Sequence, residues 1–130
     1  MFWAVLMARV VLALPFLLAG SNHFLHFMPE PTGSSPESPA GQFAGALATS
    51  GYLNVLKVFE LIGGVLVISG RLVPLGLTIL TPIVVNILLF EIFMLGSPGI
   101  GVVLLVLCVV LIWAYRSHFA AVFAVKPRIG

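Results

Sequence analysis

Six side chains in this sequence could do chemistry where chemistry is costly: Arg9, Asn54, Lys57, Glu60, Asn86 and Glu91. Each lies inside a long apolar run, and a charge at the centre of a bilayer costs about 2.5–3.5 kcal/mol even on lenient insertion scales. Such groups therefore face inward and pair, or they line a site for a ligand or a proton. Lys57 and Glu60 stand three apart and share one helix face. Asn54 and Gly64 extend that face into a polar, small-residue stripe. At about 1.5 Å rise per residue, Glu60 falls near the midplane, Arg9 in the inner half, Asn86 in the outer half and Glu91 near the outer boundary. This depth arithmetic predicts an Arg9–Glu60 pair, with Lys57 reaching towards Asn86 or Glu91. The competing interpretation is structural: buried ion networks often only hold helices in register.

Other reactive types point to less. His23 and His26 are spaced for one helical face that Glu30 would continue, which makes them the weak metal candidates. Pro29 stops the helix before Glu30 aligns, so no metal centre is expected. His118 falls on the opposite side of the membrane from both, which argues against haem ligation. Cys108 stands alone in an apolar run, with neither a disulfide partner nor a CxxC pair.

The elements that must position these groups follow from composition. Apolar residues make up 61% of the 130, charged residues 8%, and mean hydropathy is +1.22. A soluble domain carries roughly 25% charged residues to cover its surface, so this surface must face lipid. The expected fold is an all-α membrane protein, one four-transmembrane-helix bundle over residues 1–130, with spans at about 2–20, 51–69, 72–95 and 100–116. Leu18-Ala19-Gly20-Ser21 resembles a signal-peptide cleavage site. The preceding run has no basic n-region, however, and Arg9 interrupts it, so it reads as a retained span. Between the first two spans, residues 28–50 form a Pro-rich loop whose second half (Gln42 to Ala48) can make a short interfacial helix. Gly63, Gly64 and Gly70 are expected to let neighbouring helices approach closely. Pro15, Pro74 and Pro82 are expected to bend their helices. Trp3, Trp113, Tyr52 and Tyr115 read as interfacial anchors.

Orientation follows the basic residues. Arg71, Arg116, Lys126 and Arg128 all fall on one side if both termini are cytoplasmic, and residues 28–50 then lie outside the cytoplasm. That places the chain as a multi-pass protein of the cell membrane, the bacterial inner membrane being expected. The net charge of +2 forms no cluster, so no nucleic acid partner is implied.

Arg9, the string Leu14-Pro15-Phe16-Leu17-Leu18-Ala19-Gly20 with His23-Phe24, and Glu60-Leu61-Ile62-Gly63-Gly64 running on to Gly70-Arg71 together resemble the DoxX/DoxX-like family of small four-helix membrane proteins. The resemblance covers essentially the whole chain. It implies a protein like relatives that serve as subunits of thiosulfate:quinone oxidoreductases, like another linked to a membrane complex handling oxidative stress, or like more distant assembly factors. The matching positions (Arg9, Glu60, Gly63 and Gly64) carry no transferable catalytic role. Three functions stay open. One is an accessory subunit of an envelope redox or stress-response complex, with an oxidoreductase partner. A second is a membrane protein binding a quinone or another small molecule. The third is a minimal transporter, which with four spans would need a homo-oligomer. No cofactor is evident from the residues themselves; a quinone is the class the second function would take.

Overall fold

A computed structural model describes residues 1–29 and 34–130, and every regular element among them is helical. The elements are α1 (Phe2–Leu25), α2 (Pro39–Ser50), α3 (Tyr52–Ser69), α4 (Val73–Phe93), α5 (Ile100–Ala114) and α6 (Arg116–Phe119), closed by a 3-10 turn over Ala120–Phe123. Glu30, which Pro29 is expected to keep off the histidine face, lies outside the described residues.

Three helices, α1, α3 and α4, are long and apolar enough to cross a membrane. A fourth crossing is met only if α5 is joined to Arg116–Phe123, from which it is bent by 85°. By itself α5 has 15 residues, about 22 Å of helix against the ~30 Å hydrocarbon core.

The long helices form a ring in which α1 packs on α3, α3 on α4, α4 on α5, and α5 back on α1. Short turns join α3 to α4 and α4 to α5, which makes those neighbours antiparallel. Gly51 (φ 84°) and Gly70 (φ 77°) end α2 and α3 in the left-handed conformation that a side chain would strain. Pro74 sits in the first turn of α4, where its missing N–H costs no hydrogen bond. It therefore starts that helix, contrary to the expected bend, whereas Pro15 and Pro82 are interior.

Glycines set the helix separations. A Cβ on Gly63 would come within 2.6 Å of Leu80 on α4, and one on Gly64 within 2.9 Å of Leu17 on α1. The two adjacent glycines thus serve opposite neighbours and make α3 the central helix. Gly20 against Leu61 and Gly76 against Val67 continue the two seams. Between them Leu12, Val67, Leu77, Leu80, Val84, Cys108 and Leu111 are fully buried. Apolar side chains such as Val55, Val65, Val106 and Val109 cover the outside, the pattern of a bundle whose solvent is lipid.

α2 lies outside the ring against α3. Ser38 starts it by accepting from Gly41 N (3.1 Å), with Pro39 in the first turn. The helix therefore begins three residues before the Gln42 start expected for an interfacial helix. Phe43 reaches across to Phe90 on α4, with ring centroids 5.6 Å apart.

Candidate functional site

The six polar residues do not form one network. Arg9 does not pair with Glu60. Its Nε donates to Val67 O (2.9 Å) and its Nη2 to Ile68 O (3.1 Å), two carbonyls in the last turn of α3. A helix leaves its final carbonyls without partners and carries partial negative charge there, so the guanidinium fork is a cap supplied from another helix. A Cβ at Gly70 would stand 2.5 Å from Arg9 Nη2, so the glycine both turns the chain and clears room for the fork. Pairing charges by depth cannot reveal this partner, because it leaves out helix ends as anions.

Glu91 plays the opposite part. Buried on α4, its Oε1 accepts from Gly101 N at 2.7 Å, so a carboxylate closes the N-terminus of α5, where the dipole favours an anion. Side chains at Gly99 or Gly101 would run into that carboxylate. Gly99-Ile100-Gly101 opening an apolar run, ten residues after a glutamate, was the available signal. Lys57 does not reach Glu91 or Asn86.

Lys57 pairs instead within its own helix: Nζ lies 2.9 Å from Glu60 Oε2, the one ion pair among the described residues. Glu60 is 7% exposed, and Oε2 has no hydrogen-bond partner beyond this charge contact. The pair straddles two hollows. Lys57 lines a groove of about 510 Å³ between α1 and α3, together with Asn22, His23 and Leu53. Glu60 lines a half-open cavity of about 480 Å³ between α2, α3 and α4. Phe43, Ala44 and Leu47 of α2, Leu53 and Leu56 of α3, and Ile83, Ile87 and Phe90 of α4 supply its apolar wall. Asn86 also lines it and donates from Nδ2 to Pro82 O (2.9 Å). Of the predicted set, therefore, Glu60 and Asn86 share a cavity, while Arg9 and Glu91 cap helices at opposite ends of the bundle.

Asn54 and His23 join α1 to α3, while His26 closes α1 itself. His23 Nε2 lies 2.7 Å from Asn54 Oδ1. His26 ends α1 in the left-handed conformation, its N–H bonded to Asn22 O. Buried Asn22, which the sequence reading passed over, accepts from Met28 N at 2.7 Å. Among the described residues no three His, Cys, Asp or Glu gather as a metal site would require.

The Arg9 clamp, the paired glycines and Glu60 all belong to the α1–α3–α4 unit. That unit coincides with the DoxX family model, which matches residues 4–95. The chain belongs to the DoxX family. A relative, the uncharacterized protein YwoB of Bacillus subtilis (strain 168), is 34% identical over a 97-residue alignment that covers 70% of this chain. The chain spans 63% of that relative's length. No solved structure matches. The DoxX match ends before α5, the shortest of the four ring helices. Family membership and the apolar helices together make this a multi-pass membrane protein.

Proposed function

We propose that this DoxX-family protein binds a lipophilic small molecule, of quinone size and class, in the cavity between α2, α3 and α4. One observation carries this reading: a nearly buried carboxylate, incompletely satisfied, lines a half-open hollow whose other walls are aliphatic and aromatic. Buried polar groups are normally satisfied within the protein. Cavities of about 300–1,000 Å³ with apolar walls and few polar groups are the usual form of small-molecule sites. The chain would hold the molecule as an accessory subunit, for an oxidoreductase partner that performs the electron transfer.

The same proposal takes four crossings, with α5 completing its passage through the bent Arg116–Phe123 segment and both termini in the cytoplasm of a bacterial cell. Basic residues support it, since Arg71, Arg116, Lys126 and Arg128 then share one side. Arg116 stacks over Trp113 at 4.4 Å, the kind of anchor an interface favours.

Filling the hollow tests the binding reading. Ala44 is exposed on α2, so Ala44→Trp blocks the cavity without touching the ring core. Native mass spectrometry of the purified wild-type protein is expected to detect a retained lipophilic molecule that Ala44→Trp lacks. Equal retention by both proteins would remove the cavity from consideration.

A further inference from the structure

The cavity's polar groups are unequal in what they offer a ligand. Glu60 is buried and ion-paired with Lys57 at 2.9 Å, and a carboxylate held in an ion pair offers only acceptors to a ligand. It has about four lone-pair directions, and Oε2, in charge contact with Lys57, takes no hydrogen bond. Asn86 is oriented by its bond to Pro82 O, because a carbonyl can take only the amide's nitrogen side. That leaves Asn86 Oδ1 as a second acceptor. Register places the two acceptors close together. Gly63 meets Leu80 and Gly76 meets Val67, so Glu60 is level with Ile83, and Asn86 lies one short turn away, about 4.5 Å along α4. The donors against them are the second Asn86 N–H and the hydroxyl of Tyr52, which is 61% exposed at the rim.

We infer that the cavity selects a neutral amphiphile with a hydroxyl head, a phenol or alcohol on an apolar body, over the same body with only an acceptor head. This rests on the proposed binding function and narrows it: of a quinone and its reduced form, the dihydroxy form is the better fit. An ammonium head would also donate, but Lys57 already balances Glu60, and a second cation there would be repelled. A hydroxyl satisfies the open acceptors without adding charge.

The experiment compares 4-octylphenol with its methyl ether, 4-octylanisole, which keeps the apolar body and loses the donor. Retention of each radiolabelled probe on the full chain in lipid nanodiscs is measured against empty nanodiscs. The phenol is expected to bind at least tenfold more tightly than the ether, and this preference is expected to fall below threefold in both Glu60→Gln and Asn86→Leu. Asn86 is exposed, so its variant reports even if loss of the Glu60 charge impairs folding. Equal binding of the two probes, both abolished by Ala44→Trp, would keep the binding function and overturn the donor selectivity. A tighter ether, or a phenol preference unchanged in Asn86→Leu, would overturn it as well. Retention of neither probe above empty nanodiscs would overturn the binding function itself.

Discussion

Removing the Arg9 clamp tests the helix-end logic most directly. Arg9→Met keeps an apolar stem of similar length and deletes the bonds to Val67 O and Ile68 O. Two charge-assisted bonds are worth about 1.5–3 kcal/mol each, and favourable contact with the helix terminus adds about 0.3–1 kcal/mol. Against this, the variant avoids holding a charge near the membrane interior, a relief of up to about 2.5–3.5 kcal/mol. The net expectation is a loss of about 1–3 kcal/mol. Arg9→Lys should fall between, since an ammonium is a point charge that cannot span two carbonyls as a planar fork does. Glu60 lies seven residues before Val67, roughly 10 Å along α3, so Arg9 and Glu60 should act independently. A double-mutant cycle of Arg9→Met and Glu60→Gln, read by SDS-induced unfolding in mixed micelles, should be additive within about 0.5 kcal/mol. Coupling above about 1 kcal/mol would restore the direct Arg9–Glu60 pair and refute the clamp, as would a fully stable Arg9→Met.

Other expectations concern the remaining caps, seams and topology. Glu91→Ala strips the buried acceptor from Gly101 N and should destabilise by about 1–3 kcal/mol; amide exchange should quicken first at the start of α5, and uniform quickening would contradict the cap. Gly63→Ala forces a Cβ onto Leu80 and should cost about 1–3 kcal/mol, with part of the loss recovered in Gly63→Ala/Leu80→Ala; additive costs would show that the seam is not set by that contact. In the proposed topology, a cysteine at Glu37 should react with an impermeant maleimide in intact cells and one at Ser117 should not, while buried Cys108 stays silent; the reverse pattern would invert the chain.

The helices were legible because composition and turn residues act locally. α3 begins one residue after its expected start and ends where expected, and α4 lies within the 72–95 run. α1 runs five residues beyond the expected 20, since Ser21, Asn22 and His23 are tolerated at a helix end where the chain leaves lipid. The fourth segment was harder, because apolarity continues through Phe119 and Phe123 while the backbone turns. In the site, sequence identified which side chains bear chemistry but mismatched their partners. Lys57–Glu60 was readable as a spacing of three. Arg9 with Val67 and Ile68, and Glu91 with Gly101, were not, because their acceptors and donors are backbone groups whose availability depends on where a helix stops. The cavity was equally hidden: its roof is α2, a helix inside a proline-rich stretch, and its depth depends on inter-helix register.

The clamp between Arg9 and the end of α3 also imposes an order on biosynthesis. α1 emerges before α3, with its arginine about two turns from the helix's N-terminal end, near enough to the membrane boundary for the long side chain to reach headgroups. Its partner carbonyls are released only when Gly70 ends α3, some sixty residues later. Until then the first helix can sit in the bilayer as a separate inserted segment. The arrival of the Gly70 turn gives Arg9 its fixed partners, so the clamp is the last of these α1–α3 contacts to become available.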